Sequence, residues 1–253
     1  MKLVTKFLFL SLAFLNMSLA LAQELPSKYT ELLDYVQEAP DQGETNSCLF
    51  VASTGAMELI ANKKYGVKNP QPYGRFDLTE SFIMHAPDVG SSGKYFLEKP
   101  VLKFNKGFGV HTDVWPYVGW DGTFEGRVWT YRDWSNMPKI DLPKVETISL
   151  FVKGGRWSTN VLTSSHVTQI KEALWKYKSP ILVNYNDNHF WHVLLIVGYD
   201  DQIPGDCYEV TEQKCAGRQG AFYVRDSFGR VVEVRDYDWF RVKGNAAFVV
   251  KEK

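Results

Sequence analysis

A change of hydrophobic period near Lys178 is what most constrains this chain. Before it, apolar residues recur mostly at helical spacing; after it, short β-branched runs take over. From Ser47 to Lys64, Leu49, Phe50, Ala52, Ala56, Leu59 and Ile60 predict a mostly buried helix that Gly66 can end. Leu78 to Phe82 opens a second, shorter helix, and Tyr95 to Phe104 reads as a helix disturbed by Pro100. Val167, Ile170, Leu174 and Trp175 mark another between His166 and Lys178, while Leu32, Leu33 and Val36 predict a short amphipathic helix between Ser27 and Ala39. Beyond Lys178 come Pro180–Tyr185, His192–Tyr199, Ala221–Arg225, Val231–Arg235 and Ala246–Lys251, all β-rich and punctuated by Gly, Asp and Asn. A helix-rich front followed by a strand-rich back implies two lobes of different character in an α+β fold.

The first 22 residues stand apart. Lys2 and Lys6 form a positive n-region, Phe7 to Leu15 is a short apolar stretch, and Ala20-Leu21-Ala22 offers a small-x-small cleavage site. That order predicts a signal peptide over 1–22, a mature chain from Gln23, and a secreted or periplasmic protein with no membrane anchor. The full chain carries 29 basic and 29 acidic residues, and loss of Lys2 and Lys6 leaves a slight negative balance. Such a balance gives no electrostatic footprint for nucleic acid or anionic membranes. Nothing has the spacing of a phosphate-binding glycine loop or a zinc site, so no cofactor or metal is expected. Of the three cysteines, Cys207 and Cys215 are the natural disulfide partners in an oxidising compartment, and Cys48 is the odd thiol out. Trp115, Trp120, Trp129, Trp134 and Trp157 crowd a middle segment that reads either as an inter-lobe plug or as the lining of a groove.

Cys48 lies where a polar segment gives way to the first long helix. A helix N-terminus favours the thiolate, the nucleophilic form of cysteine. Gln42, behind a glycine and six residues earlier, is placed to supply an amide that pairs with the Cys48 N–H as an oxyanion hole. A thiol nucleophile needs a base. Among His85, His111, His166, His189 and His192, the last opens the apolar run Val193 to Tyr199 and so stands at the mouth of a buried strand. Asp226, at the end of a later strand, can orient the second ring nitrogen.

Three motifs therefore stand in order: Gln42-Gly43 with Ser47-Cys48; His192 with Val197-Gly198-Tyr199; and Asp226-Ser227-Phe228-Gly229. The first two are 144 residues apart (192 − 48). They resemble the Gln-Gly-x-x-x-Ser-Cys, His-x-Val-x-x-Val-Gly-Tyr and Asn-Ser-Trp-Gly motifs of the papain-like cysteine peptidases. Leu78-Thr79-Glu80-Ser81 and Val114-Trp115-Pro116-Tyr117 add smaller likenesses, and Ser92-Gly93 occupies the place of the family's substrate-binding glycines. The resemblance implies a two-lobe catalytic domain over 23–253. Its helical left lobe would span about 41–118 and its antiparallel, β-barrel-like right lobe about 119–253, with the active site in the cleft. It further implies a Cys48 thiolate, a His192 imidazolium oriented by Asp226, Gln42 in the oxyanion hole, a peptide or protein substrate, and a monomer.

Leu49, Phe228 and Asp226 depart from the family's aromatic, Trp and Asn, and Thr45 stands where a cysteine is common. With these departures, the resemblance implies a divergent, bacterial-type branch of that family. The Asp226 choice also fits Cys-His-Asp acyl transfer of the transglutaminase kind, and a peptide-binding descendant without activity is the third alternative.

Overall fold

The structure is a computed structural model whose described residues are 24–43, 47–84, 97–114, 134–152, 162–187, 190–204, 219–229 and 232–253. The leader expected over 1–22, Ser92, Gly93, Cys207 and Cys215, and Trp115, Trp120, Trp129 and Trp157 lie outside them.

Helix α1 (Cys48–Lys64) buries 14 of its 17 residues. A helix with so little solvent face has to be enclosed, and Ala52, Ala56, Gly55 and Ala61 let neighbours approach it closely. It packs against α2 (Glu80–Met84), α3 (Glu98–Lys103) and three strands of the main sheet. Its end is set by Gly66, left-handed at φ 68°. The Gly66 N–H reaches the Lys63 carbonyl and the Val67 N–H the Asn62 carbonyl, so two otherwise orphaned carbonyls are satisfied. Pro100 disturbs nothing. It is the third residue of α3, where the N–H it lacks would have had no helical partner.

The N-terminal arm corrects the expectation of an amphipathic helix. It holds β1 (Lys28–Tyr29) and one 3-10 turn, Leu33–Tyr35. Tyr29 pairs with Tyr199 and Lys28 with Asp200, so backbone pairing to a sheet edge replaces a helix too short to nucleate alone. The apolar spacing still identified the inward side chains, since Leu32 and Val36 are buried.

A small ribbon joins β2 (Phe108–Gly109) to β3 (Ile140–Asp141). The remaining strands form one antiparallel sheet: β4 (Val145–Val152), β5 (Ile181–Asp187), β6 (Phe190–Pro204), β7 (Gln219–Arg225), β8 (Glu233–Asp236) and β9 (Gly244–Glu252). Their order is β4-β9-β5-β6-β7-β8, with β1 added to β6. Successive side chains of a strand face opposite ways, so the unbroken burial of Ile181 to Val183 and Leu194 to Val197 means both faces are covered there. Helix α4 (Ser164–Tyr177) packs on β4, β6 and β9, and α5 (Tyr237–Lys243) on β5, β7 and β8. The sheet is therefore open, not a closed barrel. Among the described residues β4 and β8 end its path, and the helices complete its cover.

Arg225, at the end of β7, fastens the sheet to α1. It is 2% exposed. Its guanidinium donates to the carbonyls of Gln37, Val51 and Glu38 at 2.8, 2.9 and 3.2 Å, and to Glu58 Oε2 at 3.1 Å. It passes over Gly55, where a β-carbon would come within 2.1 Å of Nη1. Glu58 also accepts from the Leu78 N–H at 2.9 Å. Burial pushes its carboxyl up to about 7, with Asp77 adding to the rise and Arg225 opposing it.

Candidate active site

Two histidines that the sequence offered as bases do structural work. His111 Nε2 meets the Gly74 carbonyl at 2.8 Å, and His166 takes part in a capping box with Thr163 at the start of α4. His85 and His189 lie outside the described residues.

His192 is different. It lies on β6 opposite Tyr185 of β5. The β6–β7 register pairs Leu195 with Arg225, so Asp226 leaves β7 alongside the His192 end of β6. His192 Nε2 and Asp226 Oδ1 are 2.6 Å apart, and the Ser227 N–H donates to the same oxygen at 2.8 Å. The ring is sandwiched by aromatics. Phe228 lies parallel to it at 5.5 Å between centroids and 3° between planes, and Tyr185 meets it edge-on at 5.1 Å. Phe228 is itself 46% exposed, so it stands between that face of the imidazole and water.

The other half of the site comes from α1. Cys48 is the first residue of that helix, a free and buried cysteine, and the Ser47 carbonyl accepts from the Phe50 and Val51 N–H groups to start the turn. Its side chain is a hydrogen-bond partner of His192. With Nε2 committed to Asp226, Nδ1 is the nitrogen left for the thiol. Burial alone would lower the proton affinity of His192, but hydrogen bonds to Asp226 and Cys48, together with their charges, outweigh it. The net effect raises the imidazole to about 10.

The Gln42 segment is stitched to the Asp226 segment. Asp41 bridges to Phe228, the Gln42 N–H donates to the Ser227 carbonyl at 2.8 Å, and the Ser227 hydroxyl donates to Gln42 Oε1. Gly43 turns at φ 55°, its N–H held by Asp41 Oδ1 at 2.8 Å. Fixing the amide by its oxygen leaves Nε2 as the end turned away from Ser227.

Gln42, Cys48, His192 and Asp226 thus come from four separate stretches of chain into one connected group, while Ser92 and Gly93 lie outside the described residues. Sequence reading missed Tyr185 and the ordering role of Ser227, and also Arg235, which sits 4.0 Å from Asp226 Oδ2. Ser227 is signalled by its motif; Tyr185 and Arg235 are signalled by strand register alone. Among the described residues no cluster of His, Cys, Asp and Glu is arranged to hold a metal ion.

No protein-family model and no curated protein matches the chain. Solved structures do. Digestive procathepsin L2 proteinase from Tenebrio molitor larval midgut aligns over 93% of this chain and 71% of its own, with TM-score 0.56 and 16% identity. The cysteine protease and lectin-like domains of Cwp84, a surface layer associated protein of Clostridium difficile, align over 91% of this chain at TM-score 0.59 and 14% identity. This chain spans 53% of that longer one. Bromelain from Ananas comosus aligns over 90% of this chain and all of its own, with TM-score 0.54 and 14% identity. The chain has the α+β fold of the papain-like cysteine proteases.

Proposed function

We propose that this protein is a cysteine peptidase that cleaves peptide bonds through Cys48, His192 and Asp226. The observation that supports this most is the His192–Asp226 hydrogen bond beside a free cysteine at the start of a 17-residue helix. In this reading Cys48 is a thiolate paired with the His192 imidazolium. Its sulfur attacks the substrate carbonyl carbon, and the resulting oxyanion is met by the Cys48 N–H and the Gln42 amide. His192 gives its proton to the leaving amine, leaving a thioester on Cys48. Water, deprotonated by His192, then releases the acid and restores the thiol.

The likeness to peptidase folds supports peptide or protein substrates, and gives none to acyl transfer or to a merely binding role. The finer parts of the proposal rest on the sequence: export by the 1–22 leader, the lobes divided near residue 118, Ser92 and Gly93 beside the substrate backbone, a Cys207–Cys215 disulfide, and a monomer. Among the described residues no helix is long and apolar enough to cross a membrane.

A peptide-library cleavage profile of the chain from Gln23, run beside Cys48→Ala, tests the activity. Cleavage by the first only, blocked by a peptidyl epoxide that labels Cys48, is expected. Equal profiles from both proteins would end the proposal.

A further inference from the structure

Where the papain-like motif carries Asn, this chain carries Asp226, and the exchange adds a negative charge where the side chain is 1% exposed. An ionised carboxylate in such a place needs partners for both oxygens. Oδ1 has two, the His192 ring and the Ser227 N–H. Oδ2 accepts no hydrogen bond among the described residues. The Arg235 guanidinium lies 4.0 Å from it, too far to donate but close enough for the charges to interact.

Arg235 is not loosely placed. It sits on β8 opposite Phe222 of β7, and its Nη2 is 2.5 Å from Glu233 Oε2. Its guanidinium lies 5.5 Å from the Trp239 ring, Trp239 meets Tyr185 edge-on at 4.8 Å, and Tyr185 meets His192. The cation is thus held at the far end of a packed path that begins at the imidazole.

We propose that Arg235 is a positioning residue that acts through Asp226, drawing the carboxylate's second oxygen to itself and limiting how tightly His192 holds its proton. This rests on the peptidase reading only for its consequence in catalysis. A general acid works best when its proton affinity lies near the operating pH, and the partners of His192 carry it well above that. The charged groups that act on the ring directly are Cys48 from α1 and Asp226 after β7; Arg235, paired with Glu233 on β8, faces the far oxygen of Asp226. A cation beyond the carboxylate opposes the rise; Glu233 tempers that cation.

The test is the nitrogen NMR titration of the His192 ring, with the pH profile of kcat/KM beside it, in Arg235→Met, Arg235→Lys and Glu233→Gln proteins. Arg235→Met should raise the midpoint of His192 by about half to one pH unit, a modest share of the 1–3 units a close charge exerts. Arg235→Lys, which keeps the charge, should stay nearer the parent. Glu233→Gln should move the midpoint down, because the guanidinium is then no longer offset. A purely structural role would cost stability in both Arg235→Met and Glu233→Gln without these opposite shifts. An unmoved or lowered midpoint in Arg235→Met overturns the inference, and if that variant does not fold, an unmoved or raised midpoint in Glu233→Gln does so. The titration needs no turnover. Opposite shifts in a protein that cleaves no peptide would therefore sink the peptidase reading alone; cleavage with unmoved midpoints would sink the Arg235 inference alone.

Discussion

At the scale of single residues, the site depends on charge held in little water. His192 is 7% exposed and Asp226 3%, so each feels its neighbour more strongly than it would at a surface. The imidazole is raised from 6.5 to about 10. A base raised in this way keeps its charge at lower pH and loses it as pH climbs through the raised value, so activity that needs the imidazolium should fail on the alkaline side. Asp226→Asn removes the carboxylate charge while leaving an acceptor, and should yield a working enzyme whose alkaline limb of kcat/KM lies at lower pH. Asp226→Ala should lose more, through a misoriented ring. A pH profile of each variant decides, and an unchanged alkaline limb in the Asn variant would leave Asp226 as a turn former only. Gln42→Ala should lower kcat about 10²–10³-fold with a much smaller change in KM, as removal of one oxyanion donor does elsewhere. Steady-state kinetics on a cleaved peptide measures the split, and a loss confined to KM would place Gln42 in substrate binding instead.

Among the elements, α1 does most to locate the candidate site. Its N-terminus presents Cys48, its middle is crossed by Arg225, and its end is turned by Gly66. Burial on nearly all sides makes it intolerant of added volume. Gly55→Ala would set a β-carbon 2.1 Å from Arg225 Nη1, so either the guanidinium leaves its partners or the helix shifts. Overpacking of this kind costs about 1–3 kcal/mol before the broken hydrogen bonds are counted. Denaturant unfolding should show at least that loss despite the better helix propensity of alanine, and a stabilised variant would mean the crossing is looser than described. Strand β6 is the second determinant. Its end carries His192, its centre is sealed on both faces, and its edge receives β1. Both elements were legible in the sequence because burial writes itself as an unbroken apolar run. The arm from Ser27 to Ala39 was misread for the complementary reason: its apolar spacing reports which side chains face inward, not whether the backbone is helical or paired to a sheet.

Across the whole molecule, Cys48 and His192 belong to different halves of the chain, and their relative position depends on what joins helix to sheet. Arg225 is one such join, with four hydrogen bonds into the N-terminal segment and α1. Arg225→Met would leave Glu58 buried beside carbonyls that have lost their donor, a change that typically costs about 3–5 kcal/mol when one partner of a buried pair is removed. We expect the variant to unfold at markedly lower denaturant, and its folded fraction, counted by labelling of Cys48, to turn over more slowly. Full activity per labelled thiol would show that the two halves align without it.

Local pattern was enough for the α+β class and for the run of helices and then strands, and it pointed to the four polar residues that the fold gathers at the candidate site. Each of these is encoded locally, in periodicity or in a short motif whose spacing reflects one turn of backbone. Long-range packing alone settles that the sheet stays open under α4 and α5, that the N-terminal arm pairs with β6, and that Tyr185, Ser227 and Arg235 lie about the His192–Asp226 pair. Those outcomes depend on strand register and on contacts between residues far apart in the chain, such as the 185 positions that separate Gln42 from Ser227. A local pattern records which way a side chain must face. It does not record which distant side chain it will meet there, because that is settled by the packing of the whole.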